Sequence, residues 1–226
     1  MTIHLIYKYE KLRKDRDFKK TNMLWNYSHI NHPKRIGYLI DYISKANPQT
    51  YKEWETYFHQ NIADKDKIQQ LAVEFQDFVL KNNSTPIYAN KPFSFFVNSV
   101  ECRLIYETWL GYIAEATAMK EIKKMFPNVD VKKTSKENDN KYAVDYILAY
   151  QNTDICGIQL KSIYYKTNNS PILMQTKAMN LKKNKKFTEE YNIPVITCFY
   201  ERVFVNNNTI KIKLIKDFTK ELEKLF

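Results

Sequence analysis

The sequence predicts a mixed α/β fold, in which a central sheet is flanked by helices and preceded by an N-terminal helical extension. Apolar residues recur at helical spacing through residues 36–79. Two runs of β-branched and aromatic residues within 142–165 flank a short polar break, which is typical of two strands joined by a turn. Further runs of this kind at 194–203 and 209–215 predict more strands, so one main sheet with helical layers is expected.

The helical extension is predicted from three amphipathic segments, which begin at residues 36, 50 and 64. The second opens with Thr50 and Glu53, a capping-box pair in which each side chain satisfies the other residue's free backbone N–H. The segment 82–92, rich in Asn and Pro, is the clearest boundary in the chain. We therefore expect a helical region over residues 1–90 and a second domain over residues 91–226.

The charge of the chain favours a polyanionic partner. Its 226 residues include 36 Lys and Arg against 25 Asp and Glu, a formal net charge of +11. Such a surplus attracts polyanions, of which nucleic acid is the first candidate. A genome of low GC content also raises the lysine content, and this second explanation accounts for part of the excess.

The composition argues against several other classes. Three widely spaced cysteines without a C-x-x-C pair indicate neither a disulfide framework nor a cysteine zinc site. Three glycines are too few for a phosphate-cradling loop, so no nucleotide cofactor is expected. His29 and His32 lack further ligands and are better explained as a polar turn before Pro33. Without an apolar run of membrane-spanning length, we expect a soluble, cytoplasmic protein with no membrane partner.

Three polar residues interrupt the two central strands and form the candidate catalytic site. Lys161 lies two residues after Gln159, so both side chains leave the same face of a strand. Asp145 supplies a carboxylate from the preceding strand, and Gln159 offers an amide oxygen. Oxygen ligands suit a hard cation such as Mg²⁺, and a nearby ammonium group stabilises charge that builds up on phosphorus. The alternative is a solvated strand face, on which alternate polar residues are common.

A further carboxylate is expected from the long helix predicted over residues 95–126. Glu107, Gly111 and Glu115 recur at four-residue spacing and share one helix face. The glycine costs the helix about 1 kcal/mol relative to alanine, which suggests a close approach to that face. We prefer Glu115 as the ligand because small residues surround it, and we expect Glu107 to face the surface or the substrate.

This arrangement resembles the PD-(D/E)XK nuclease superfamily, with its acidic helix residue, strand aspartate and E-x-K or Q-x-K strand. The resemblance covers residues 95–205, and the matching residues are Glu115, Asp145, Gln159 and Lys161. It implies a restriction-endonuclease-like fold and Mg²⁺ held by the first three, with the backbone carbonyl of Leu160 as an additional ligand. It also implies that Lys161 activates water and that cleavage leaves a 5′-phosphate. Val144 stands where proline is conventional, and Gln159 where glutamate is commoner.

The order of several segments is also similar to that of the MjaI-type restriction endonucleases. These segments are RIGYLIDYI, TYKEWETYF, the glycine-containing helix and IQLKSIYYKT. The similarity implies a type II enzyme that cuts both strands of a short double-stranded DNA site. A homodimer is expected because a palindromic site has two equivalent strands. Residues 1–90 would then bind DNA or dimerise, and residues 91–226 would be the catalytic core.

Two other functions remain open on the sequence. One is a junction-resolving or repair nuclease, and the other is a non-catalytic nucleic-acid-binding module with a degenerate nuclease fold. A group of lysines after the second strand is expected to contact DNA phosphates, although a merely solvated surface is the alternative. These are Lys166, Lys177, Lys182, Lys183, Lys185 and Lys186.

The register of the two strands provides a geometric condition for the site. Directly opposed residues of an antiparallel pair share a face, so Asp145 must oppose Gln159 or Lys161. A regular hairpin with the four-residue turn QNTD would set Asp145 against Leu160, on the wrong face. The site therefore requires a three- or five-residue turn or one bulged residue, and Gly157 is the expected position of the bulge.

Overall fold

The computed structural model describes residues 2–82, 86–206 and 209–225. Within this part of the chain, residues 2–112 with Asn206 form one compact unit, and residues 113–205 and 209–225 form a second. The fold is mixed α/β with N-terminal helices and a five-stranded sheet, consistent with a restriction-endonuclease-like fold, so the predicted class is confirmed. The functional division into residues 1–90 and 91–226 stays a prediction.

The first unit is helical and has an aromatic core. Trp54, Phe58, Phe75 and Phe96 are fully buried, and the Trp54 indole N–H donates to the carbonyl of Ile105 at 3.0 Å. The α-helices are α1 (Thr2–Lys14), α2 (Arg16–Lys20), α3 (Asn22–Ser28), α4 (Pro33–Ile36), α5 (Leu39–Ala46), α6 (Tyr51–Asn61), α7 (Lys65–Asn82), α8 (Phe93–Glu101) and the start of α9 (Glu107–Met125).

The second unit contains the sheet. Its strands are β1 (Val129–Lys133), β2 (Tyr146–Tyr150), β3 (Thr153–Ser162), β4 (Val195–Asn206) and β5 (Thr209–Leu214), and they lie side by side in that order. The first three strands are antiparallel neighbours, as expected for hairpins. Strand β4 pairs with β3 in parallel, so the chain must cross over between them.

Helices surround this sheet. The crossover from β3 to β4 contains α11 (Ile163–Thr167) and the long α12 (Pro171–Tyr191). A short helix, α10 (Lys136–Tyr142), connects β1 to β2, and α13 (Thr219–Glu223) follows β5. Ser135 caps the start of α10 by accepting a hydrogen bond from the N–H of Asn138 at 3.2 Å.

The two faces of the sheet differ in composition. One face packs against α9, α13 and the segment before α13, and it includes Leu148, Cys156 and Ile158, all fully buried. The opposite face has a smaller apolar cluster built from Tyr142, Val144 and Phe187. Successive side chains of a strand point to opposite faces of the sheet. Gly157, Gln159 and Lys161 of β3 therefore lie on this second face.

Two local predictions are corrected by the structure, and one helix was not predicted. The helix expected over residues 95–126 is divided by one π-helical stretch, Cys102–Tyr106. Helix α10 was not predicted because its sequence, KENDNKY, has no apolar periodicity. A methyl group added to Gly111 would meet no atom of the described chain, so no part of it approaches that helix face closely.

Candidate active site

The register of β2 and β3 has the parity that the site requires, up to the last pair of the ladder. That pair is Tyr146 with Ile158, so a register continued by one residue would set Asp145 against Gln159. The N–H of Asp145 donates to the carbonyl of Ile158 at 2.8 Å, and its carboxylate accepts from the N–H of Leu160 at 2.6 Å. Asp145 therefore lies at the same end of the hairpin as Gln159 and Lys161, with its carboxylate against the backbone of Leu160.

One bulged residue produces this register, but neither the turn nor the bulge lies where the sequence predicted. The turn contains two residues, Gln151 and Asn152, with φ values of 48° and 65° that are typical of a type I′ hairpin. The ladder shifts between Leu148 and Ala149, and Ile155 is the additional residue on β3. A regular two-residue hairpin would have the same unsuitable parity as the four-residue one.

Gly157 therefore has a different role from the predicted one. A methyl group added there would lie 3.0 Å from Val144 Cγ1 and 3.1 Å from Phe187 Cε1. Glycine suits this position because side chains of α12 and of the segment before β2 pack closely against the strand backbone. This packing fixes α12 above the end of β3 that bears Gln159 and Lys161.

Burial dominates the electrostatics of Asp145. Its partly buried carboxyl has a pKa raised to about 6, because loss of solvent disfavours the charged form. The ammonium of Lys161 and the N–H of Leu160 counteract this shift, whereas the charges of Asp139 and Glu115 add to it. The site thus gathers three carboxylates near the ammonium groups of Lys161, Lys133 and Lys183.

Asp139 is an acidic residue of the site that the sequence analysis missed. It lies on α10, and burial raises its pKa, with Lys161 opposing the shift and Glu115 adding to it. Its position depends on α10, a short helix with no apolar pattern. The capping sequence that begins at Ser135 is the only signal that could have indicated this helix.

The structure distinguishes the two glutamates of α9. The Glu115 carboxylate accepts from Lys133 Nζ at 2.9 Å and from the Tyr146 hydroxyl at 3.0 Å, next to the start of β2. Glu107 belongs to the helical unit, where it pairs with the Arg13 guanidinium at 3.2 Å. Only Glu115 is thus found in the same unit as Asp145.

Gln159 is buried, with 2% of its surface exposed. One end of its amide lies 3.3 Å from the amide of Asn184 on α12. The other end has no hydrogen-bond partner among the described residues. A buried amide group without a partner costs about 1–3 kcal/mol, which indicates that a group outside the chain satisfies it.

Lys161 is half-buried at the end of β3, and its Nζ lies 6.0 Å from the centre of the Tyr165 ring. Beyond it, a groove of about 320 Å³ extends from Gln159 between α11 and α12. Lys166 and Lys177 line this groove together with Tyr165 and Asn180. The candidate catalytic site therefore continues into a groove that two lysines line.

The predicted DNA-contacting lysines have varied surroundings. Lys166 pairs with Asp217 at 2.8 Å, and Lys177 donates to the carbonyl of Asn168 at 2.8 Å. Lys183 donates to the carbonyl of Asn140 at 2.6 Å, and Lys185 lies 3.6 Å from Glu189. Lys182 and Lys186 are exposed on α12. Contact of these lysines with DNA stays a prediction.

The oxygen donors fit a hard divalent cation that brings most of its own ligands. Asp145 supplies a carboxylate, and Gln159 supplies an amide, one end of which has no hydrogen-bond partner among the described residues. In the described part of the chain, no three His, Cys, Asp or Glu side chains cluster at metal-ligand spacing. Mg²⁺ commonly binds through one or two carboxylates, with water and substrate phosphate completing its shell.

Comparison with known proteins gives one match. Searches of curated proteins and of solved structures find none. No helix in the described residues is long and apolar enough to span a membrane. The family model described as MjaI restriction endonuclease matches residues 21–212, which is most of the chain. The order of segments, the fold and this match agree, and the chain belongs to the MjaI restriction endonuclease family.

Proposed function

We propose that this protein is a Mg²⁺-dependent type II restriction endonuclease that hydrolyses both strands of a short double-stranded DNA site. The observation that carries the proposal is the end of the β2–β3 hairpin, where the Asp145 carboxylate accepts from the N–H of Leu160, between Gln159 and Lys161. A polar strand face that merely met solvent would not require a buried Gln159 or an Asp145 whose pKa is raised by burial.

Asp145 and Gln159 are the proposed cation ligands, with Glu115 and the carbonyl of Leu160 as further oxygen donors. The cation, when bound, would polarise the scissile phosphate and lower the pKa of a water molecule. The N–H of Leu160 fixes the Asp145 carboxylate at 2.6 Å, so that the carboxylate is oriented before substrate arrives. Asp139 adds negative charge beside Lys161.

Lys161 is the proposed positioning group for the attacking water. Its ammonium donates hydrogen bonds and would hold water in line with the phosphorus while stabilising charge on the phosphate oxygens. The water oxygen forms a bond to phosphorus as the bond to the 3′-oxygen breaks. The attacking water gives up one proton to solvent, the 3′-oxygen leaves with a proton taken from solvent, and the 5′-phosphate remains.

The remaining residues are proposed to bind and align DNA. Lys166 and Lys177 line the groove next to Gln159, and the lysines from Lys182 to Lys186 on α12 would contact backbone phosphates. Residues 1–90 would bind DNA or dimerise, and residues 91–226 would form the catalytic core. A homodimer would present two such sites, one for each strand of a palindromic target.

The test is incubation of the purified protein with plasmid DNA, with Mg²⁺ or with EDTA. Discrete fragments that require Mg²⁺ are the expected result, with 5′-phosphate ends detected by direct ligation. Random nicks or cuts confined to branched DNA would instead indicate a repair or junction-resolving nuclease. Binding without any cutting would indicate a non-catalytic module.

A further inference from the structure

A buried side-chain contact between α12 and β3 determines how the Gln159 amide is oriented. We infer that Asn184 is a positioning residue, which turns the oxygen of Gln159 away from α12 and leaves it free to bind the cation. This inference rests on the proposed function, because it assigns a task to one of the proposed ligands. It follows from hydrogen-bond polarity at two amides that contact each other.

The first step concerns the end of the Asn184 amide that faces α10. Two backbone carbonyls, those of Tyr142 and Ala143, lie 2.8 and 3.2 Å from this end. Carbonyl oxygens only accept hydrogen bonds, so the group facing them must be the NH₂ of Asn184. The opposite orientation would set three oxygens against one another in a partly buried site.

The second step concerns the contact between the two amides. With its NH₂ toward α10, Asn184 presents its oxygen to the Gln159 amide at 3.3 Å. The group of Gln159 that faces this oxygen must therefore be its NH₂. The Gln159 oxygen then occupies the other end of the amide, which is buried and has no partner among the described residues.

The C-terminus of α10 anchors this chain of contacts. Ala143 has φ 56° and ends the helix, so the carbonyls near this terminus have no partner within the helix. Asn184 supplies two of them with a donor, and its orientation is thereby fixed from outside the site. The same helix carries Asp139, so the terminus that holds Asn184 also belongs to the element bearing this acidic residue.

The orientation also explains why residue 159 is glutamine here. A glutamate carboxylate would face the oxygen of Asn184 with no hydrogen atom between them, and the two groups would repel each other. An amide satisfies Asn184 with one end and offers an oxygen at the other. A substitution at Gln159 should therefore be accompanied by a substitution at Asn184.

Four proteins test the inference through Mn²⁺ binding, measured by electron paramagnetic resonance of free Mn²⁺ without DNA. They are the wild type, Asn184→Ala, Gln159→Glu and the double variant. Asn184→Ala should weaken Mn²⁺ binding about tenfold in the wild-type background, as is usual for a group that orients a ligand. In the Gln159→Glu background, where the two carboxylate oxygens are equivalent, the same change should cause no loss, and relief of the repulsion should strengthen binding.

A merely structural role of Asn184 would give a different result. Capping of α10 is lost in both backgrounds, so an equal weakening of Mn²⁺ binding in the wild type and in Gln159→Glu would overturn the inference. An unchanged affinity in Asn184→Ala would overturn it as well. Asn184→Leu, which keeps most of the side-chain volume, replaces the alanine variant if thermal unfolding shows that Asn184→Ala does not fold.

A matched control lies one turn later on α12. Thr188 is exposed and does not line the groove next to Gln159, so Thr188→Ala should leave Mn²⁺ affinity unchanged. Asp145→Asn distinguishes a failure of the proposed metal site from a failure of the positioning role of Asn184. If that change leaves Mn²⁺ binding intact, the proposed metal site fails, whereas an effect of Asn184 that is independent of residue 159 removes only its positioning role.

Discussion

The two faces of the central sheet differ in the side chains that they present, although the same strands form both. On the face covered by α9, Leu148, Cys156 and Ile158 are completely buried among apolar neighbours. On the face covered by α12, an apolar cluster gives way along β3 to Gln159 and Lys161. Alternation along β3 thus separates an apolar face from one that also carries Gln159 and Lys161.

A single bulged residue determines which side chains reach each face. The pairs near the turn, such as Ala149 with Asp154, are one residue out of step with pairs such as Leu148 with Cys156. Beyond Ile155, Leu148 of β2 and Cys156 and Ile158 of β3 belong to the core on the α9 face, whereas Ile147 of β2 packs on the opposite face. The bulge therefore aligns the core residues of the two strands with one another.

The largest stability loss is expected on the α9 face. Leu148 is fully buried, so Leu148→Ala should lower the free energy of unfolding by about 2–5 kcal/mol through lost contacts and a cavity. Chemical denaturation measures this loss. Cleavage by the folded fraction at low temperature should stay close to that of the wild type, and a complete loss of cutting by well-folded Leu148→Ala would contradict the separation of the faces.

On the α12 face, a smaller loss is expected from adding a methyl group. Gly157→Ala would set the new carbon about 3 Å from Val144 and Phe187, both buried, so the strand and α12 must separate. We expect a loss of about 1–2 kcal/mol in unfolding free energy. Val144→Ala should restore part of it when combined with Gly157→Ala, and absence of any rescue would contradict the proposed contact.

Asp145→Asn should have the opposite sign and stabilise the protein without metal. The folded-state pKa of about 6 lies above the ordinary aspartate value near 4, so stability falls as pH rises through this window and stays lower above it. Asparagine lacks this penalty and can still accept from Leu160. We expect a gain of about 1–2 kcal/mol at pH 7.5 in EDTA, reduced by the partial exposure of the carboxyl.

Two controls for Asp145→Asn compare its stability with that of the wild type at different pH values and with added Mg²⁺. The difference between variant and wild type should shrink toward pH 4, where the Asp145 carboxyl is largely protonated in the folded wild type and the unfolded one has begun to take up its proton. Added Mg²⁺ should raise the melting temperature of the wild type more than that of the variant. A variant that is less stable than the wild type at pH 7.5 in EDTA would contradict the burial penalty.

The smallest effect is expected from exposed lysines on the two sides of the sheet. Lys182→Ala with Lys183→Ala on α12 should flatten the dependence of log affinity on log salt by about one unit for each lost phosphate contact. Lys123→Ala with Lys124→Ala, at the end of α9, is the matched control and should leave the slope unchanged. Equal slopes for both double variants would indicate that the α12 lysines are merely solvated and do not contact phosphates.

The sequence predicts much of the candidate catalytic site because three of its residues lie on two successive strands. Asp145, Gln159 and Lys161 are recognisable as polar residues within apolar strands, and their spacing shows that a parity-changing bulge is needed. The position of the bulge is not predictable in the same way. A left-handed conformation at Gln151 and Asn152 shortens the turn, and neither residue is glycine, the usual signal.

The contributions of helices packed against the sheet could not be predicted. Asp139 depends on α10, whose polar sequence resembles a loop. Asn184 acts across 25 positions of sequence, and its partners are backbone carbonyls, which leave no trace in residue types. Gly157 looked like a bulge because its real cause, the approach of Val144 and Phe187, is a tertiary contact.

The most direct test of the central claim is plasmid cleavage by Lys161→Ala in Mg²⁺, measured beside DNA binding by the same protein. Lys161 would orient the attacking water, so cutting should fall by at least about two orders of magnitude. Affinity for DNA should remain close to the wild-type value, since binding depends chiefly on other lysines. Wild-type cutting by Lys161→Ala would contradict the assignment of the catalytic site.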